Sequence, residues 1–100
     1  MVPRRLRGLE EVALQGCPRA FVAESARARL LGLAWLDELP DGCGLLLPRC
    51  SSVHTFGMRF ELDVTFLDAA GSAIRRDRAV PAWRVLWCRG AAAVLERRAL

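Results

Sequence analysis

From Phe56 to Phe66 every even-numbered residue is apolar: Phe56, Met58, Phe60, Leu62, Val64 and Phe66. The odd positions between them hold Gly57, Arg59, Glu61, Asp63 and Thr65. A strand turns successive side chains to opposite faces, so this period of two specifies a β segment with one buried face, which a helix cannot explain. Eleven residues exceed the typical strand of about 5–6, so a bend is expected near Glu61. Met58, Phe60, Leu62, Val64 and Phe66 should be mostly buried, with Glu61 and Thr65 more exposed.

The neighbouring segments extend this β reading. Arg19 to Glu24 reads as a short strand, and Ser25 is a good N-cap for a helix whose Ala26, Leu30 and Leu33 share one face. That helix should be short, because Gly32 weakens it and Pro40-Asp41-Gly42 forces a turn. Leu45 to Leu47 is a brief apolar strand closed by Pro48. Beyond Phe66, Asp68-Ala69-Ala70-Gly71 has the chemistry of a hairpin turn, with Ser72 to Arg76 returning antiparallel. Arg84 to Cys88 suggests a strand buried on both faces, with Trp83, Val85 and Trp87 on one side of it as core. The tail from Gly90 to Leu100 is ambiguous between a helix and a last strand through Val94-Leu95. The pattern predicts a mainly β domain with one short α-helix.

Composition narrows the function. The chain has 100 residues, 53% of them hydrophobic, enough for one core and a single domain over 1–100, and against low-complexity disorder. No apolar stretch approaches a membrane span of about 20 residues. Glu10 and Glu11 interrupt any signal-peptide core near the amino terminus, so a cytoplasmic location is expected. All 15 basic residues are Arg, and Lys and Tyr are absent. Schiff-base chemistry, pyridoxal phosphate attachment and a P-loop lysine are therefore excluded. His54 is the only imidazole, which rules out two-histidine mechanisms within this chain. The net charge of +4 is spread along the chain without a concentrated basic stripe, so no nucleic-acid partner is expected.

Four cysteines show no CxxC. Cys43, Cys50, His54 and Cys88 lack the recurring zinc spacing, so no stoichiometric zinc and no cofactor are expected. Buried thiols are the plain expectation in a reducing compartment, and a Cys50–Cys88 pair the alternative in an oxidising one. Ser51 and Ser52 lie near His54, but no nucleophile-elbow motif accompanies them.

A set of residues resembles a known family. The run His54-Thr55-Phe56-Gly57-Met58-Arg59-Phe60, followed by Leu62-Asp63-Val64, Phe66-Leu67-Asp68 and Gly71, is similar to the signature of domain-of-unknown-function family 192. Gly32-Leu33, the strand from Gly44 to Cys50, Trp83-Arg84, the segment Cys88 to Ala91 and Val94-Leu95-Glu96 resemble its flanking elements. The likeness covers about residues 19–96. It implies a small β-sandwich or jelly-roll-like antiparallel domain and no established activity. Glu61 stands where the family commonly has proline. Members usually continue past the Val-Leu-Glu element into a further strand, so an open sheet edge could pair with a second copy in a homodimer.

Two roles are open for the signature residues. In one, Arg59 with Arg84 or Arg89 grips a small polar or anionic ligand or a protein partner, while His54, Asp63 and Asp68 orient it. In the other, the same residues tie loops to the sheet. Arg59 and Asp63 lie about 13 Å apart on a straight strand, too far to pair directly. The expected function is a binding or accessory module with ligand-binding candidates His54, Arg59, Asp63, Arg84 and Arg89. The alternative is a hydrolase or metal-dependent enzyme using His54 with Asp63 or with Cys50 and Cys88.

Overall fold

A computed structural model describes residues Met1–Leu100. After a 3-10 turn at Arg4–Leu6 come β1 (Glu11–Leu14), β2 (Cys17–Val22), α1 (Ala26–Leu31), β3 (Cys43–Pro48), β4 (Ser52–His54), β5 (Leu62–Leu67), β6 (Ala73–Val80), β7 (Val85–Trp87) and β8 (Ala93–Arg98). Six strands form one sheet in the order β1-β2-β3-β8-β5-β6, and β4 pairs with β7 in a second, two-stranded sheet. The domain is mainly β with one short α-helix, as the alternation requires.

The phase of β5 matches expectation. Leu62, Val64 and Phe66 are wholly buried, Met58 is buried, Phe60 is half-buried, and Glu61 is exposed. The strand itself is shorter than the apolar pattern. It begins at Leu62, directly after the expected bend, and residues 55–61 form turns in which the phase is lost before Met58, with Thr55 and Gly57 buried and Phe56 exposed. Asp68 accepts at Oδ1 from the amides of Ala70 and Ser72, each at 2.9 Å, and Gly71 takes φ +86, so the hairpin forms as its residues dictate.

Ser25 caps α1 by accepting from the Ala28 amide at 3.0 Å. The helix ends at Leu31 and buries no residue of its own. Leu30 is exposed and only Leu33, beyond the helix, reaches the core, so the expected apolar face is not a helical one. The helix serves as a crossover. It joins β2 to β3, which pair in parallel, a geometry that two adjacent strands reach only through such a connection. Every other strand pair is antiparallel.

The tail resolves as strand β8, which sits between β3 and β5 at the centre of the sheet. The open edges of that sheet are β1 and β6 instead. Arg75, Arg76, Arg78 and a break in register along β6 make that edge a poor template for pairing. The main core lies on one face of the large sheet, where Phe21, Leu45, Val64, Phe66 and Val94 meet Leu33 and Leu39 from the α1–β3 connection and Val53 from β4. A smaller apolar cluster of Cys17, Ala20, Leu67 and Leu95 forms separately.

One expectation fails outright. The β7 segment is not buried on both faces: Trp83, Val85 and Trp87 are all exposed. Alternation identified the strand correctly, but the small sheet has no further layer over its outer side.

Candidate functional site: an aromatic face edged with arginine

The β4–β7 ribbon pairs Ser52 with Trp87, Val53 with Leu86 and His54 with Val85. Val53 and Leu86 pack toward the core, which turns Ser52, His54, Val85 and Trp87 the other way. Thr55 fastens the ribbon where β4 ends. Its wholly buried side chain donates from Oγ1 to the Pro81 carbonyl at 2.8 Å and accepts from the Arg84 amide at 2.8 Å. Its backbone donates to Arg84 O at 2.9 Å and accepts from Trp83 N at 3.2 Å.

On this frame stands a row of rings. His54 stacks on Phe56 with centroids 4.9 Å apart and planes 25° from parallel, and Phe56 stacks on Trp83 at 5.7 Å and 28°. Trp83 holds φ +68, an unusual backbone for a bulky residue. Trp35 lies over Gly57, and the Arg59 guanidinium sits 5.9 Å from its ring centroid.

The neighbours of His54 select between its tautomers. Nε2 lies 3.2 Å from the Leu30 carbonyl, which can only accept, and Nδ1 lies 3.2 Å from the Phe56 amide, which can only donate. Both contacts are satisfied by the neutral ring carrying its proton on Nε2. Neither nitrogen is left to serve as a general base.

The five expected ligand residues divide. His54 stands in the aromatic row, Arg59 lies near Trp35, and Arg84 and Arg89 adjoin β7 in the chain. Arg84 and Arg89 are exposed and flank β7 on either side, and neither guanidinium has a protein partner. Arg59 pairs with Asp37 at the surface. Asp63 stands apart on the large sheet, where its Oδ1 accepts from the Ala79 amide at 2.9 Å. That bond secures a β6 residue with φ +52, a structural task. Asp68 is spent on its turn.

The four cysteines are free thiols. Cys50 donates from Sγ to the Ser52 carbonyl at 2.9 Å. No three His, Cys, Asp or Glu side chains gather into a group suited to a metal ion. Thr55 and Trp35 escaped the sequence reading. A threonine between a histidine and a phenylalanine carries no burial signal, and Trp35 belongs to no periodic apolar pattern.

This geometry defines a class: a small, two-sheet, mainly β domain with one crossover helix and an exposed aromatic face. The chain belongs to the DUF192 family ("Uncharacterized ACR"), whose profile matches residues 12–99. A crystal structure of a protein of unknown function from Novosphingobium aromaticivorans DSM 12444 superposes with a TM-score of 0.78 at 19% identity, covering 99% of this chain and 80% of that one. A second, named a "putative transcription regulator" from Sinorhizobium meliloti 1021, gives a TM-score of 0.74 at 19% identity, covering 81% and 68% respectively. At that identity both establish the fold alone. A comparison with curated proteins returned no match. No helix is long and apolar enough to cross a membrane.

Proposed function

We propose that the protein is a small binding module whose β4–β7 face receives an anionic ligand carrying flat rings, the chemistry of a short single-stranded oligonucleotide. The observation behind this reading is that Trp83 and Trp87 are 65% and 68% exposed in a segment that also carries the exposed Arg84 and Arg89. Tryptophan is a residue whose burial is strongly favourable, so two held outward on one short ribbon point to a surface that something covers. The stacked row of His54, Phe56 and Trp83 offers planar faces that bases extend by stacking. Arg84 and Arg89 supply guanidinium forks suited to phosphate. The even spread of charge counts against such a partner, and the exposed tryptophans, which alternation alone would place in the core, are what favours it. Three residues separate Trp83 from Trp87, and the two indoles stand just before β7 and at its end.

The commitment of both His54 nitrogens favours binding over hydrolysis at this face. In the measurement, a labelled oligo(dT) is titrated by fluorescence anisotropy at low salt while tryptophan quenching is followed. Trp87→Ala should weaken binding by roughly 5- to 100-fold while leaving the melting curve nearly unchanged. Arg89→Ala should lower the slope of log K against log salt by about 0.7. Absence of binding at low salt, or a Trp87→Ala variant that binds like wild type, refutes the reading. Displacement of oligo(dT) by an equal concentration of poly-glutamate assigns the face to an acidic protein partner instead.

A further inference from the structure

On the other side of His54, between α1, β3, β4 and β8, lies a cavity of about 410 Å³. Its walls are mainly apolar, with Leu30, Leu31, Leu47 and Val53 among them, and Glu96 also lines it. Strand alternation explains how an acid reaches this place. Glu96 is in phase with Val94 on the core face of β8, opposite Leu45 of β3 and Val64 of β5, both wholly buried. It is only 3% exposed, and no protein group hydrogen-bonds its carboxyl. Gly32 gives it room: a Cβ on that residue would stand 3.3 Å from Glu96 Oε1.

Of the other polar side chains around the cavity, Arg29, His54 and Cys50 are already occupied, and Ser52 is exposed to solvent. Arg29 donates to the carbonyls of Pro48 and Arg49 at 2.8 and 3.0 Å. His54 is bonded at both nitrogens, and the Cys50 thiol donates to Ser52 O. Glu96 alone is buried, free of partners and turned toward the opening. The one fully enclosed side-chain oxygen without a partner is Asp77 Oδ2, so the Glu96 oxygens keep contact with the opening, where a molecule that enters the cavity can meet them.

We infer that the cavity is a second ligand site, built for a small, largely apolar, uncharged molecule whose one acceptor group takes the hydrogen bond that the Glu96 carboxyl offers. Size and lining suit this class, since small-molecule pockets run from about 300 to 1,000 Å³ with few polar groups among apolar walls. Charge selects within it. Burial pushes the Glu96 carboxyl up to about 8, so near neutrality it keeps its proton and donates. A ketone, amide or alcohol oxygen accepts that proton without any ion being desolvated. The remaining titratable groups facing the cavity are Arg29 on α1, Cys50 after β3 and His54 on β4.

Three probes of one shape separate the possibilities: benzamide, benzoate and benzylamine, titrated into isotope-labelled protein and followed by amide chemical shifts. Benzamide should shift Gly32, Ser52 and Val53, and should bind at least tenfold more tightly than benzoate or benzylamine. Its affinity should be level from pH 6 to 7 and fall above about pH 8 as Glu96 ionises. Glu96→Leu, which removes the acid and fills the site with an apolar side chain, should weaken benzamide roughly tenfold, whereas Glu96→Gln, which still donates, should retain it. Tighter binding of benzoate or benzylamine, unchanged affinity in Glu96→Leu, or no shift around the cavity with any probe overturns the proposal. The cavity shares His54 and Ser52 with the ribbon but not Trp87, whose indole does not line it, so Trp87→Ala should leave benzamide binding nearly unchanged.

Discussion

The indole of Trp35 lies directly across the backbone of Gly57, its Cε2 only 2.8 Å from the point where a Cβ on residue 57 would stand. The Trp35 amide also donates to Gly57 O at 2.9 Å, so ring and chain are fixed together. Gly57 takes φ +77, which glycine adopts without penalty. Gly57→Ala therefore meets two obstacles, a strained backbone and an occupied space. Because Trp35 is exposed, its ring can swing away, and the backbone term should dominate, at about 1–3 kcal/mol. Urea unfolding measures that loss, and a change in tryptophan emission of the folded variant reports the displaced ring. Wild-type stability with unchanged emission would contradict the packing described.

Arg59 and Asp37 form an ion pair whose side chains are 51% and 80% exposed. Solvent screens such a pair, and exposed pairs contribute about 0–1 kcal/mol. Arg59→Ala should lower stability by less than about 1 kcal/mol in chemical denaturation. A loss of several kcal/mol would mean that Arg59 braces the bend at Glu61 through a buried carboxylate, contrary to the observed contact with Asp37.

How far the sequence could be read depends on what each pattern encodes. Alternation across 56–66 located the strand and its buried face, because the period of a strand and the phase of its apolar residues are local properties. Ser25 and Asp68 announced a helix start and a turn for the same reason, since their side-chain oxygens bond amides only two to four residues away. The exposed tryptophans were illegible. Apolar alternation at Trp83, Val85 and Trp87 shows that one face is apolar, not whether another layer covers it, and only the tertiary arrangement decides that. Glu96 was missed because the Ala- and Leu-containing tail fitted helix as well as strand. Only in a strand do Val94 and Glu96 share a face, which places a carboxyl in the core.

Thr55 carries the connection between β4 and the chain entering β7. A valine there keeps the shape but loses the donor to Pro81 O and the acceptor for Arg84 N, stranding two backbone groups at a wholly buried site. Each unsatisfied group costs about 1–3 kcal/mol, so Thr55→Val should destabilise by roughly 2–4 kcal/mol. In a domain of this size each kcal/mol moves the melting temperature by about 4–8 °C. A shift of a degree or two would show that the ribbon is held by other contacts. Thr55→Ser, which retains both hydrogen bonds, should recover much of the loss.

Glu96 also makes stability depend on pH in a direction opposite to that of a salt-bridged carboxylate. In the folded protein it keeps its proton until about pH 8, because burial penalises the charged form, while the ordinary value in an exposed setting is 4.5. Between those values the folded state holds one proton that the unfolded chain has released. The unfolded state then binds fewer protons, so the stability of the fold decreases as pH rises. Where the difference is a full proton, the slope approaches about 1.4 kcal/mol per pH unit. This contribution is wholly present below about pH 4, declines through neutrality, and levels off above about pH 8. Urea midpoints measured across that range should therefore drift downward in the wild type. Glu96→Gln cannot titrate, and its curve should lose this component of the slope whatever its absolute stability. The comparison rests on the slope because a buried carboxamide has its own donors to satisfy. Parallel pH profiles for the two proteins would show that Glu96 is ionised and solvated in the folded state.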